Sequence, residues 1–286
     1  MFDKKEKKKM KNEIAILLAL WTFIGCIHPL CAKEPAPEII DVSFVAKHDQ
    51  TKQKYVLLLP TSFKAKDSHD ILIALHGHGS DRWQFIKQTR DECRATRDVA
   101  AKHNMIYVSP DYRAKTSWMG PKAEADVVQI IAELKKKYRV ARVFICGASM
   151  GGTASLTFAI LHPKLIDGVA SMNGTANLVE YENFQDAIIK SFSGTKEQIP
   201  LEYKKRSAEY YPRHLIMPIG LAVSGKDTSV PPQSVLRLAE KLKKLGHKKT
   251  KLIYAPNRGH ATNYDDATAI LEFVIQSASP AMPTRR

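Results

Sequence analysis

The stretch VFICGASMGG, residues 143–152, places Ser149 between two glycines, with a third glycine directly behind them. The apolar run before Gly147 is typical of a buried strand, and the small-residue run after Ser149 is typical of a helix. A serine on a sharp turn between a strand and a helix is a candidate nucleophile, because glycines beside it relieve the clash that side chains would cause. Ordinary glycine-rich turns show the same short pattern, so the surrounding sequence has to decide between these two interpretations.

Strands and helices alternate along the rest of the chain. Continuous apolar runs predict strands that are buried on both faces, and the first two strands are expected to form a hairpin. The predicted strands cover residues 39–46, 54–60, 71–75, 105–112, 141–149, 167–174, 216–225 and 250–257. The predicted helices cover residues 83–103, 121–138, 150–163, 232–246 and 265–278. This order predicts an α/β fold with a mostly parallel central sheet and helices on both faces.

The connection from about residue 174 to residue 217 is too long for a simple loop between a strand and the next strand. We interpret it as a small helical cap over the ends of the strands that contributes to a substrate pocket. The alternative is a surface excursion remote from the site.

The first 32 residues have the pattern of a signal peptide. The lysine-rich MFDKKEKKKMKNE is followed by the uncharged run IAILLALWTFIGCIHPLCA. We therefore expect cleavage after Ala32, an α/β domain over residues 33–286, and a periplasmic or secreted protein. An uncleaved membrane anchor and a lipoprotein acylated at Cys26 are the alternatives.

The formal net charge is +15, and the excess of lysine is scattered along the chain, as in ELKKKYR and KKLGHKKTK at predicted helix ends, which is typical of a solvated surface. No nucleic-acid-binding motif accompanies this charge, so we expect no nucleic-acid partner. Of the four cysteines, Cys93 and Cys146 lie beyond the predicted signal peptide. Their spacing does not resemble a zinc or redox motif, Cys146 is expected to be buried, and whether both are free is left open.

A serine hydroxyl needs an imidazole to accept its proton and an acid to orient that imidazole. Ser149 ends a predicted strand, and Asp227 and His260 each follow one. Because the carboxyl ends of parallel strands meet at one edge of the sheet, we expect these three side chains to lie together. Asp265 and Asp266 compete for the role of the acid, but they are expected to cap the last helix.

The stretch LHGHGSD, residues 75–81, follows the predicted strand 71–75. We expect the backbone N–H of His78, or alternatively of Gly79, to act with that of Met150 as an oxyanion hole. Such chemistry needs no metal ion and no organic cofactor.

Four motifs in this order, HGHG (76–79), GASMGG (147–152), GKDTSVPP (225–232) and GHAT (259–262), make the chain resemble the α/β-hydrolase superfamily. They are most similar to its esterase and prolyl-oligopeptidase-like branch, and residues 203–232 resemble the segment before the catalytic aspartate of prolyl-oligopeptidase-type peptidases. The resemblance implies a serine hydrolase that acts on a small ester or a short peptide.

We expect ester cleavage, because the chain has no room for the large β-propeller of those peptidases and shows no acidic pair to hold a substrate amino terminus. A peptidase is the alternative, and a non-catalytic binding protein of the same fold is disfavoured because all the triad residues are present.

The loop DYRAKTSWMGPKAEAD, residues 111–126, offers Tyr112, Arg113 and Trp118 as possible lining of an acyl or alcohol pocket. Alternatively, Trp118 and Met119 pack underneath the cap.

Overall fold

A central sheet of eight strands organises residues 37–280, the part of the chain that the structure, a computed structural model, describes. The strands are β1 (Glu38–Val45), β2 (Lys52–Leu59), β3 (His69–Leu75), β4 (Ile106–Pro110), β5 (Val140–Ala148), β6 (Gly168–Met172), β7 (Ile219–Ser224) and β8 (Thr250–Ala255). Their order in the sheet is β1-β2-β4-β3-β5-β6-β7-β8. Strands β3 to β8 run parallel, while β1 pairs antiparallel with β2 and β2 antiparallel with β4.

Helices cover both faces of this sheet. They are α1 (Gln84–Lys87), α2 (Asp91–Lys102), α3 (Pro121–Lys137), α4 (Met150–Leu161), α5 (Gln185–Phe192), α6 (Pro200–Lys205), α7 (Gln233–Lys244) and α8 (Tyr264–Ser277). Helices α3, α4 and α7 pack on one face, and α1, α2 and α8 pack on the other. The expected α/β fold with a mostly parallel sheet is therefore confirmed. Within residues 37–280, no helix is long and apolar enough to cross a membrane.

The alternation of side chains along the central strands creates two separate cores. In β3, Ile71, Ile73 and Leu75 pack under α3 and α4, whereas Leu72 and Ala74 pack under α2 and α8. Successive side chains of a strand point to opposite faces, so an uninterrupted apolar run supplies both cores. This double burial fixes the position of the polar loops that follow each strand.

The predicted single helix over residues 83–103 is wrong, because the structure has α1 and α2 separated at residues 88–90. Gln88 and Arg90 adopt extended backbone conformations. The guanidinium of Arg97 on α2 donates to the carbonyls of Phe85 and Gln88 at 2.9 and 3.0 Å, and so satisfies the end of α1. A side chain from the second helix thus stabilises the break between the two helices.

The segment 174–217 contains α5, α6 and two short 3₁₀ helices, Ala208–Tyr210 and Pro212–His214. We call this segment the insert. It is anchored by Arg206, which is fully buried and pairs with Glu124 of α3 at 2.7 Å and Glu202 of α6 at 2.6 Å. The predicted signal peptide, residues 1–32, lies outside the described residues.

Two buried thiols lie on the α2 and α8 side of the sheet. Within residues 37–280, Cys93 and Cys146 form no disulfide, and burial raises the pKa of Cys93 to about 12. Both side chains therefore act as small apolar groups of the core.

Helix α4 begins unusually close to the end of β3. A Cβ atom on Gly151 would lie 2.0 Å from the carbonyl oxygen of Leu75, and one on Gly147 would lie 2.5 Å from backbone atoms of Gly151. Both distances are shorter than any contact that a side chain tolerates. Glycine is therefore required at both positions for the turn after β5 to pack against β3.

Substitution Gly151→Ala tests this close approach. We expect a loss of at least about 1–3 kcal/mol in the free energy of unfolding, because the new methyl group collides with backbone. The control is Gly259→Ala, where a Cβ atom meets nothing within 4 Å and the expected change is below about 0.5 kcal/mol. Denaturant unfolding followed by circular dichroism measures both, and equal midpoints would contradict the packing described here.

Candidate active site

Ser149 occupies the turn between β5 and α4 in a strained backbone conformation, with φ 57° and ψ −122°. Its N–H donates to the carbonyl of Met172 at 2.8 Å, and its carbonyl accepts from the N–H of Thr153 at 3.0 Å. Non-glycine residues seldom adopt this region, and such strain is concentrated at functional sites. The turn places the serine at the first turn of α4, where the helix dipole favours negative charge.

Asp227 and His260 form a hydrogen-bonded pair at the ends of β7 and β8. The imidazole Nδ1 of His260 donates to Oδ2 of Asp227 at 2.6 Å. The other carboxylate oxygen, Oδ1, accepts from the N–H groups of Ser229 and Val230 at 3.0 and 2.8 Å. The aspartate is buried, so these bonds fix the orientation of the carboxylate and of the imidazole. Nε2 of His260 is left as the proton acceptor.

The two competing aspartates lie outside this pair. Asp265 is exposed in the first turn of α8, and Asp266 pairs with Arg258 at 2.5 Å. The residue that caps α8 is Asn263, whose side chain accepts from the N–H of Asp266 at 2.8 Å. The capping role expected of the two aspartates therefore belongs to Asn263.

Ser149 and His260 line one cavity of about 430 Å³ at the carboxyl edge of the sheet. The side chains of Ser149 and His260 form no hydrogen bond with each other in the structure of residues 37–280. The Ser–His hydrogen bond is often long or absent in a substrate-free hydrolase. The remaining walls come from the end of β5, from the loops after β3, β6, β7 and β8, from residues 84–92 and from the insert. They include Gly77, His78, Gly79, Ser80, Gln84, Gln88, Arg90, Glu92, Ala148, Asn173, Phe184, Ser229, Ala261 and Thr262.

Two backbone N–H groups are available to stabilise an oxyanion. Met150 is the first residue of α4, so its N–H has no acceptor within the helix. The N–H of Gly79 is already donated to the carbonyl of Lys115 at 2.8 Å, which removes Gly79 as a candidate. Among the described residues, no group accepts from the N–H of His78. Of the two positions that the sequence left open, the structure therefore favours His78.

The predicted pocket role of Tyr112, Arg113 and Trp118 is wrong, because none of the three lines the cavity. Tyr112 is buried and donates its hydroxyl to the carbonyl of His76 at 2.6 Å. Arg113 pairs with Asp49 at 3.0 Å and with the buried Asp126 at 2.7 Å. Tyr112 thus supports the loop after β3, and Arg113 links its own loop to α3 and to the turn between β1 and β2.

Trp118 is fully buried below the cavity and adopts the alternative predicted for it, since it packs against the insert. Its ring centroid lies 5.5 Å from that of Tyr181 and 5.7 Å from that of Phe184. Phe184 in turn lines the cavity at the start of α5. The insert therefore contributes to the wall of the cavity.

Hydrogen bonds also join the insert to the loop that carries Asp227. The hydroxyl of Tyr181 donates to the carbonyl of Ser229 at 2.8 Å. The amide of Asn183 donates to the carbonyls of Thr228 and Ser229 at 3.1 and 3.0 Å. The insert and the acid of the pair are thereby held in one position relative to each other.

Several polar residues of the cavity wall were missed by the sequence analysis, among them Glu92, Asn173 and Gln88. Burial raises the pKa of Glu92, while a hydrogen bond from its own backbone, the nearby Arg90 and, least of these, His260 oppose that shift. Asn173 follows β6 and donates its side-chain amide to Thr262 at 3.0 Å, while its Oδ1 and the Oε1 of Gln88 are buried without a partner in the described residues. The end of β6 was predicted from the sequence, but the end of α1 was not, because residues 83–103 were predicted as one helix. Nothing in the sequence showed which side chains face the cavity.

The fold and this site together define a serine hydrolase of the α/β-hydrolase type. More specifically, the chain belongs to the prolyl oligopeptidase family, whose model matches residues 94–277. No curated protein matches the sequence significantly.

Solved structures of both peptidases and esterases are similar to this chain. An acylaminoacyl peptidase from Pyrococcus horikoshii has 16% identity and a TM-score of 0.66, with 88% of this chain and 43% of that chain covered. A ferulic acid esterase has 15% identity and a TM-score of 0.65, with 85% and 99% covered. An S-formylglutathione hydrolase from Staphylococcus aureus has 16% identity and a TM-score of 0.63, with 84% and 100% covered.

At these identities the similarity establishes the fold alone. The chain spans less than half of the matched peptidase chains, 36% of one from Bacteroides ovatus and 43% of that from Pyrococcus horikoshii.

The raised pKa of Glu92 gives a prediction about stability. Burial favours the protonated carboxyl, so Glu92 stabilises the fold below its unfolded pKa and this contribution is lost as the pH rises through the folded pKa. We expect Glu92→Gln to raise the melting temperature relative to wild type at pH 8 and to change it little at pH 4. The matched control is Glu38→Gln at an exposed position of β1. A difference that is larger at pH 4 than at pH 8 would contradict this assignment.

Proposed function

We propose that the protein is a carboxylic-ester hydrolase that works through an acyl-enzyme on Ser149. The observation that carries the proposal is the 2.6 Å bond between His260 and Asp227 at the wall of the cavity that Ser149 also lines. An imidazole oriented by a buried carboxylate is the base that a serine nucleophile requires.

In the proposed reaction, Oγ of Ser149 attacks the ester carbonyl carbon while Nε2 of His260 takes the hydroxyl proton. The N–H groups of His78 and Met150 stabilise the negative charge on the carbonyl oxygen. The tetrahedral intermediate collapses, the alcohol leaves with the proton from His260, and an acyl ester remains on Ser149. Water then attacks that ester with His260 as the base, and the carboxylic acid is released together with the regenerated serine.

Two observations favour esters over peptides. Among the matched solved structures, the ferulic acid esterase and the S-formylglutathione hydrolase are covered over 99% and 100% of their chains. In addition, Glu92 is the single carboxylate among the described residues that line the cavity, so the wall offers no acidic pair to a substrate amino terminus.

A serine peptidase is the second candidate, and the family match over residues 94–277 favours it. Both candidates use the same nucleophile and the same acyl-enzyme, and they differ in the leaving group. An amine leaving group has to be protonated before it departs. Amide cleavage therefore depends more strongly than ester cleavage on proton donation by His260.

An active-site-directed fluorophosphonate tests the nucleophile. We expect stoichiometric labelling of the wild-type protein and none of the Ser149→Ala variant, because the reagent needs an activated serine. Ser155→Ala is the matched control, since Ser155 is a buried serine of α4 that bonds to the carbonyl of Gly151. Folded wild-type protein that resists labelling would contradict the serine hydrolase mechanism.

The preference for an alcohol or an amine leaving group is tested by measuring kcat/KM for aryl esters and for aryl amides of the same acyl groups. We expect turnover of the esters and at most weak cleavage of the aminoacyl and prolyl amides. Amide cleavage as efficient as ester cleavage would replace the esterase proposal by the peptidase.

Replacement of Asp227, the acid that orients His260, should leave substrate binding unchanged and lower kcat. Asp227→Asn disturbs the tautomer of His260, and in comparable triads such a change lowers kcat by about 10⁴-fold. Asp265→Asn removes a charge of the same kind from an exposed position and should retain the wild-type kcat. Similar kcat values for the two variants would show that another group orients His260.

A further inference from the structure

The side chain of His78 is held in one tautomer by a tryptophan. The indole Nε1–H of Trp118 lies 3.2 Å from Nδ1 of His78. An indole nitrogen can only donate, so Nδ1 must be the unprotonated nitrogen of the ring. A neutral imidazole then carries its proton on Nε2. The tryptophan therefore turns His78 into a hydrogen-bond donor with a defined direction.

The loop that carries Trp118 is strained and firmly anchored. Four of its non-glycine residues have positive φ angles, Tyr112 (30°), Arg113 (86°), Trp118 (44°) and Met119 (55°). Each such conformation costs about 1–3 kcal/mol, and strain of this kind persists where the surroundings enforce it. The Tyr112 hydroxyl bonds to the carbonyl of His76, and the buried Arg206 donates to the carbonyl of Met119 at 2.7 Å. These anchors hold the loop in its strained conformation, and the loop in turn fixes the position of the Trp118 indole.

The surroundings of His78 keep its ring neutral. Burial lowers the pKa of His78, and its ring packs against two aromatic side chains, Trp118 and Phe184. Within residues 37–280, no carboxylate forms an ion pair or hydrogen bond with His78 that would favour the imidazolium. Protonation would also place a second N–H against the indole N–H, which costs the bond between them.

The donor lies in the wall of the cavity beside an exposed aromatic ring. His78 and Phe184 both line the cavity, and their ring centroids are 4.4 Å apart. Nδ1 faces the buried indole, so Nε2–H lies at the far side of the imidazole, where no described residue accepts from it. Phe184 is 40% exposed and offers a flat apolar face next to this donor.

We infer that His78 is a specificity-determining residue, whose Nε2–H binds an oxygen acceptor on a planar group of the substrate that packs against Phe184. The substrate class is an ester with an aromatic acyl or alcohol group that carries such an oxygen. This inference rests on the proposed esterase function. It assigns to the side chain of His78 a role separate from that of its backbone N–H.

Isosteric substrates isolate this hydrogen bond. One set consists of phenyl acetates and another of methyl benzoates, with either a methoxy group or an ethyl group at each ring position in turn. The two substituents have nearly the same volume, and only methoxy has an oxygen acceptor. The ratio of kcat/KM for methoxy to that for ethyl is measured in wild type, His78→Phe and His78→Gln. Comparison of ratios between variants cancels the intrinsic reactivity of each ester.

For at least one ring position we expect the methoxy preference to fall by roughly three- to tenfold in His78→Phe, as the loss of one neutral hydrogen bond implies. His78→Gln keeps a side-chain N–H donor and should retain most of the preference, which a purely structural role would not explain. Equal ratios in wild type and His78→Phe at every position of both sets would overturn the inference.

The tautomer itself is tested by ¹⁵N NMR of histidine-labelled Ser149→Ala protein. We expect His78 to show a protonated Nε2 and an unprotonated Nδ1 at neutral pH, and Trp118→Phe in the same background to weaken that state. A protonated Nδ1 in the presence of Trp118 would overturn the inference.

Fluorophosphonate labelling separates this inference from the proposed function. If wild type and His78→Phe are both labelled at Ser149 but the substrate ratios do not differ, the specificity role fails and the hydrolase remains. If folded wild type is not labelled, the proposed function fails first.

Discussion

The close approach between Gly151 and Leu75 is the constraint on which the rest of the site depends. The absence of a side chain at residue 151 lets the first turn of α4 contact the end of β3 directly. That contact holds the turn with Ser149 beside the loop with His78, and both residues line the same cavity. A methyl group there would separate two elements that are distant in sequence and that the proposed oxyanion hole requires together. The packing of the backbone at Gly151 thus determines where the side chains of the site lie.

The sequence predicted the parts of the structure that depend on short-range patterns. Uninterrupted apolar runs such as residues 71–75 identified the central strands, because a strand buried on both faces has no polar side to display. Parallel strands also end at one edge, so Ser149, Asp227 and His260 could be grouped without knowledge of their distances. The structure brings His260 and Asp227 into contact and places Ser149 at the same cavity.

Features that depend on distant partners could not be predicted in this way. The break between α1 and α2 has no glycine or proline, and it is stabilised by Arg97 from the following helix. Trp118 was a reasonable pocket residue by composition, yet its left-handed backbone and the packing of the insert turn it beneath the cavity. Phe184 reaches the cavity through a left-handed conformation at the start of α5, which its sequence neighbours do not indicate.

The attachment of the insert to the Asp227 loop has a consequence for how this fold diversifies. Tyr181 and Asn183 bond to the carbonyls of Thr228 and Ser229, and a main-chain carbonyl is present whatever residue occupies the position. The loop beside Asp227 can therefore mutate without releasing the insert. Conversely, the insert can exchange Phe184 for another side chain while its anchors stay in place. Natural variation or protein engineering can therefore change the part of the cavity wall that the insert supplies while Ser149, Asp227 and His260 keep their positions.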